Sequence, residues 1–279
     1  MTAVALALGA ALGWGIADFT AGITSRRISA LVVLWASQWV GFALAVAAAI
    51  VVGLREPSGA DLLWAVAAGA SLALGLGALY RAMAVGAMAI AAPIAATGVA
   101  LPVAVGLAGG DDPTTLQALG IAAALIGVLL CAHEPRARRA GRGPVAAGIG
   151  LALVAAVAGG VTQISLSEAS SSGVLWVLLV ERATAGALAL TAVAAIRGSP
   201  RPGREFMPAI VAIGAIDLLA TGLFTAAAIE GDLSVVAVVG SLYPIVTVVL
   251  AFGVLSERLA AHQAVGVFTA LVGVAAISS

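Results

Sequence analysis

Ten apolar runs of roughly twenty residues fill this chain, parted only by joints of a few polar or turn-forming residues. A run of that length crosses the hydrocarbon of a bilayer as an α-helix, the one single-segment structure that satisfies its own backbone groups without water. The runs lie near 2–24, 29–53, 61–85, 88–108, 114–132, 145–167, 173–196, 207–229, 233–254 and 260–278. Hydrophobic residues make up 62% of the 279 positions and charged residues 9%, against about 25% charge in a soluble domain. The pattern predicts an all-α membrane protein of about ten transmembrane helices, with no polar stretch long enough for a soluble domain.

The same inventory excludes several classes of function. A net charge of zero offers no basic surface to nucleic acid. One cysteine, Cys131, cannot form an internal disulfide or a cysteine-cluster metal site. The two histidines, His133 and His262, sit in predicted loops or helix ends without a second ligand at i+4, so neither a metal nor another cofactor is expected. The chain has no lysine, hence no Walker motif, which argues against ATP-driven transport by this chain alone. Arg26 and Arg27 follow the first apolar run instead of preceding it, the layout of a first spanning helix and not of a cleaved signal.

The joints carry ordinary breakers. Arg55-Glu56-Pro57-Ser58-Gly59 ends the second run, and the stretch from Arg197 to Gly203 ends the seventh. Asp112-Pro113 places a capping carboxylate before a proline suited to a first helical position. Arg26, Arg27, Arg81, Arg136, Arg138, Arg139, Arg142, Arg197, Arg201, Arg204 and Arg258 all fall at odd-numbered joints, and only Arg55 at an even one. The positive-inside rule makes the odd joints cytoplasmic and puts both termini on the outer side of the cytoplasmic (inner) membrane. Glu56, Asp61, Asp111, Asp112, Glu168, Glu230 and Asp232 collect on the opposite face.

The halves of the chain match each other at an offset of 145 to 146 residues. Gly15 pairs with Gly160, Gly41 with Gly186, Gly77 with Gly222 and Gly86 with Gly231, and the segment from Gln117 to Val128 matches that from Gln263 to Val274. The expected organisation is a first repeat over 1–132, a basic cytoplasmic connector over 133–144 and a second repeat over 145–279. Five helices per half, an odd number, turn the second repeat upside down relative to the first. Two inverted five-helix repeats are a recurring architecture of secondary transporters, in which the halves exchange conformations.

These repeated segments resemble the drug/metabolite transporter superfamily, in its EamA-domain branch of ten-helix carriers. The resemblance covers essentially the whole chain as two copies. It is strongest from Pro244 through an apolar run to Ser256-Glu257-Arg258-Leu259, followed by Gln263, Gly266 and Gly273. Trp14-Gly15 and Arg182 are also similar to family positions. At the corresponding turn the first half reads Gly110-Asp111-Asp112-Pro113 instead of Glu-x-Leu, and Pro102 lies closer to it than Pro244 does to Glu257. The resemblance implies efflux of a small metabolite or drug, without enzymatic activity.

Ionisable groups within spans are costly and so mark candidate sites. Asp217, near the middle of the eighth run, suits a substrate cation or a coupling proton, or equally a hydrogen bond joining two helices. Glu181 and Arg182 are adjacent in the seventh run, about 100° apart around a helix, and are not expected to pair with each other. Arg182 suits a substrate carboxylate or phosphate through its bidentate fork, or an ion pair between helices. Asp18 is expected to reach interfacial water, and Glu257 to fix the turn before the last helix through the helix dipole. Trp14, Gln38, Tyr80, Gln163 and Tyr243, with Trp35, Thr162 and Ser241, are candidate cavity walls. Trp39, Trp64 and Trp176 are expected in the interfacial belt. Pro93, Pro102 and Pro244 are expected to kink their helices. Gly69, Ala73 and Gly77 form a small-residue stripe that lets backbones approach.

The expected partners are a small-molecule substrate, the lipid bilayer and, as a candidate coupling ion, a proton. Amino acids, their derivatives, amphipathic drugs and nucleosides suit a mostly apolar cavity about equally. The competing readings are an intramembrane lipid-modifying enzyme and a structural or lipid-flipping subunit.

Overall fold

A computed structural model describes residues 2–54, 58–85, 88–132, 144–195, 201–255 and 261–277. All regular structure among them is helical. Six helices precede the connector: α1 (Thr2–Ser25), α2 (Ala30–Val52), α3 (Gly59–Val85), α4 (Met88–Ala96), α5 (Ala100–Gly109) and α6 (Thr115–Ala132). Six follow it: α7 (Pro144–Ala169), α8 (Val174–Ala195), α9 (Met207–Glu230), α10 (Leu233–Gly240), α11 (Tyr243–Leu255) and α12 (Ala261–Ile277). Seven helical stretches among the described residues are long and apolar enough to cross a membrane, and Ile94–Gly109 and Thr115–Gly127 are shorter apolar helices. Large apolar side chains cover the outside, with Val51 84% and Phe268 69% exposed, as lipid-facing positions require and water-facing ones do not.

The fourth and ninth runs are helical along nearly their whole length, as expected, but each carries one interruption. A 3-10 turn, Thr97–Val99, separates α4 from α5, and Ser241 and Leu242 separate α10 from α11. Thr97 Oγ1 donates back to the Ile94 carbonyl at 2.7 Å, a bond that bends helices. Pro102 and Pro244 then fall in the first turn of the helix that follows each break, where proline's missing N–H costs nothing. The kinks expected at these two prolines are thus realised as breaks just before them.

Neighbouring helices pack so closely that glycine is required at specific points. A Cβ on Gly160 of α7 would lie 2.5 Å from the Gly98 carbonyl oxygen in the first break, and one on Gly15 of α1 would lie 2.7 Å from the Tyr243 carbonyl oxygen in the second. Likewise a Cβ on Gly13 would lie 2.7 Å from Ala220 Cβ, and one on Gly75 lies 3.2 Å from Ala158 Cβ. Gly69 meets the Glu181 carbonyl of α8 and Gly214 meets the Ser37 carbonyl of α2, each at 2.5 Å from the position of an added Cβ. In every one of these pairs of contacts the two members are related by the sequence offset of 144 to 145 residues. The matched segments of α6 and α12 pack on each other, Gly273 against Gly120 and Ala124. The bundle is built mainly of Ala, Val and Leu, whose small side chains permit this spacing.

Glu257, Arg258, Gly86, Arg55, Glu56, Pro57, Arg197 and the connector at 133–143, with His133 and its arginines, lie outside the described residues. So do the side chains of Cys131, Pro93 and Gln263.

Candidate functional site

A cavity lies where α1, α3, α4, α7, α8, α9 and α11 converge, so both halves of the chain line it. Of the residues singled out in the sequence, Trp14, Gln163, Glu181, Asp217 and Tyr243 face it. Thr162 lines it too, its hydroxyl 2.9 Å from that of Ser71. Both broken helices contribute, through Ala95 just before the first break and Tyr243 just after the second.

Arg182 stands behind the wall and is fully buried. One terminal nitrogen donates to the Asp217 carboxylate and to Gln38 Oε1 at 2.8 Å. The other donates to the Asp217 main-chain carbonyl at 3.2 Å and to Thr221 Oγ1 at 2.5 Å. Gln38 Nε2 donates to the same Asp217 carboxylate at 3.4 Å, which joins α2, α8 and α9 in one polar knot. A buried guanidinium needs such partners, because a desolvated charge without them is severely penalised. Both the ion-pair and the helix-joining readings of Arg182 and Asp217 describe this geometry. Gln38 belongs to the knot and not to the lining.

Two expectations are corrected. Glu181 and Arg182 do approach, with Glu181 Oε2 3.2 Å from Arg182 Nε, although the angle forms no hydrogen bond. The 100° between adjacent helix positions describes only the direction of the first side-chain bond, and the long arginine stem brings Nε back beside its neighbour. Asp18 does not reach interfacial water. It is 6% exposed and lines the cavity. Its depth along α1 had suggested an end position, but α9 and α11 pack over that part of the helix.

Tyr80 is fully buried away from the cavity lining, and its hydroxyl has no hydrogen-bond partner among the described residues. Ser241 sits behind Gln163 and accepts from its Nε2 at 3.3 Å, leaving Gln163 Oε1 without a donor. Trp14 packs against Phe224 with ring centroids 5.3 Å apart and the planes tilted by 40°, and its indole N–H reaches Thr221 Oγ1 at 3.4 Å. Thr221 and Asp18 were missed as site residues. The offset of 145 that relates the halves equates Asp18 with Gln163, already a cavity candidate, and that correspondence would have found it. Among the described residues, no three His, Cys, Asp or Glu side chains converge as a metal ion would need.

Residues 146–279 match the EamA-like transporter family. The second half of the chain is thus an EamA-like domain. The chain is a multi-pass membrane protein that carries an EamA-like transporter domain in its second half. A crystal structure of another protein covers 99% of it, and 96% of that protein's own chain, with a TM-score of 0.75 at 20% identity. At that identity the likeness shows a shared fold. No curated protein matches this chain in sequence.

Proposed function

We propose that this chain is a secondary transporter that exports a small organic solute across the cytoplasmic membrane by alternating access. The site is the cavity between the two halves, and the organisation is ten spans arranged as inverted repeats over 1–132 and 145–279. The observation that carries this reading is a charged cavity walled by both halves beside two interrupted helices. Broken spans at a central site are how membrane carriers present backbone and dipoles to a solute. The glycine contacts that recur at the offset of 145 residues support the repeat, since two similar packings can exchange states. The family match supports transport over an intramembrane enzyme.

In this scheme Asp18, Glu181, Gln163, Trp14 and Tyr243 contact the solute. Arg182, Asp217 and Gln38 hold the wall, Pro102 and Pro244 sit at the hinges, and a proton is the candidate coupling ion. Comparing metabolites in medium and cytosol, with the gene deleted and overexpressed, identifies the solute, and proteoliposomes then measure its flux. Overexpression is expected to raise the solute in the medium, and Glu181→Gln to lower flux with the fold retained. If no solute shifts between cytosol and medium, and reconstituted protein moves none from a broad panel, the transport reading is wrong.

A further inference from the structure

The polar groups of the cavity are unbalanced. Three acids, Asp18, Glu181 and Asp217, line it, while the one nearby base, Arg182, is absent from the lining. Both terminal nitrogens of Arg182 are engaged by protein oxygens, and its Nε lies against Glu181 Oε2. Among neighbouring side chains, Trp14 Nε1 donates to Thr221 and one Gln163 Nε2 N–H to Ser241, which leaves the second Gln163 N–H and the Tyr243 hydroxyl as the neutral donors of the lining. What remains toward the space is acceptor-rich. Glu181 is 0% exposed and its Oε1 has no hydrogen-bond donor, and Gln163 Oε1, at 8% residue exposure, has none either. Asp18 adds a buried carboxylate. Buried polar atoms left without partners are costly, so this cavity is complete only when a ligand brings donors and positive charge.

We infer that the cavity selects a small protonated amine with an apolar or aromatic body, and rejects ligands that carry a carboxylate. An ammonium group supplies three N–H donors to Asp18, Glu181 and Gln163. Trp14 and Tyr243 place aromatic rings in the lining, where a cation and an aromatic body find partners, and leucines at 72, 76 and 166 line the apolar remainder. A ligand carboxylate finds no free guanidinium and meets acids instead. Amino-acid zwitterions are therefore disfavoured against the amines they yield on decarboxylation. The inference rests on the proposed function only in taking this cavity as the solute site.

The test compares four ligands of one shape on the detergent-purified full chain, by calorimetry: 2-phenylethylamine, phenylalanine, 3-phenylpropionate and 2-phenylethanol. The amine is expected to bind at least tenfold tighter than each of the others. Asp18→Asn and Glu181→Gln are each expected to weaken it at least tenfold while leaving the elution profile unchanged. Equal or tighter binding of phenylalanine or phenylpropionate overturns the inference. So does an alcohol that matches the amine, or an amine that does not bind. Amine binding without flux in proteoliposomes would sink transport and leave the inference standing. Flux of another solute without amine preference would do the reverse.

Discussion

Arg182 holds Asp217 twice, donating to its carboxylate through one nitrogen and to its main-chain carbonyl, at 3.2 Å, through the other. Clamping side chain and backbone together fixes α8 against α9 in register as well as in distance. Removing the arginine alone leaves Asp217 and Glu181 buried beside no cation. Arg182→Leu should therefore cost about 3–5 kcal/mol of stability, the scale for breaking one side of a buried pair. Arg182→Leu combined with Asp217→Leu should cost less than the single change, because one buried acid, Glu181, and not two, is then left beside no cation. Unfolding in mixed detergent micelles measures both. A double variant less stable than Arg182→Leu would show that the pair stabilises beyond offsetting its own desolvation.

Two adjacent glycines give a sharper contrast. A methyl group on Gly160 would press on the Gly98 carbonyl oxygen at 2.5 Å and on Leu101 Cδ1 at 2.9 Å, whereas one on Gly159 meets nothing within 4 Å. Gly160→Ala should cost about 1–3 kcal/mol through overpacking. Gly159→Ala should be neutral, or gain up to about 1 kcal/mol from helix propensity. Thermal midpoints of the two variants in one detergent decide it. Equal midpoints would mean that α7 does not sit against the broken helix as described.

Helix ends read in part from the sequence because their signals are local. The cap expected at Asp112-Pro113 is instead made by Thr114, whose Oγ1 accepts from the Gln117 N–H at 3.3 Å while Gln117 Oε1 accepts from the Thr114 N–H at 2.9 Å. Gly53 and Gly110 adopt positive φ at the ends of α2 and α5, where the joints carry glycine and charge. The site read less well because its signals are not local. No spacing in the sequence shows that Arg182 meets a carboxylate 35 residues later. Nor does depth along α1 show that other helices cover Asp18. Tyr80 was misplaced for the converse reason, since a polar aromatic in a span can be packed into the core with its hydroxyl unanswered. The helix breaks were foreshadowed by Pro102 and Pro244, but proline alone does not separate a kinked helix from two helices.

The start of α10 is closed from a distance. Its preceding residue, Asp232, makes no side-chain cap, and the Ser234 N–H instead donates to Asp111 Oδ2 at 2.8 Å. Asp111 belongs to the joint between α5 and α6, so a carboxylate from one half caps a helix of the other. Asp111→Ala should cost about 0.5–2 kcal/mol, as loss of a cap does, and Asp232→Ala should cost little. Asp111→Asn keeps an acceptor and should fall between the two. Hydrogen exchange at residues 233–236 reads the same bond directly. Faster exchange is expected there in Asp111→Ala, and unchanged exchange would mean the contact does not hold the helix end.

Three of the ten expected spans, α4 with α5, α6 and α12, are not among the seven long apolar stretches found in the described residues, and α6 decides how α7 and α8 are oriented relative to the first half. Its 18 residues rise about 27 Å, close to the hydrocarbon thickness of about 30 Å. Asp112 precedes α6 and Arg201 follows α8, and both are exposed. If α6, α7 and α8 all cross, the two positions lie on opposite sides of the membrane. If only α7 and α8 cross, they lie on the same side. With Cys131 replaced by alanine, Asp112→Cys should react with a membrane-impermeant maleimide in intact cells. Arg201→Cys should react only after permeabilisation, as arginine at that joint places it in the cytoplasm. Labelling of both from outside would remove α6 as a span and with it the inverted repeat. Labelling of position 201 alone would keep the repeat and reverse its orientation.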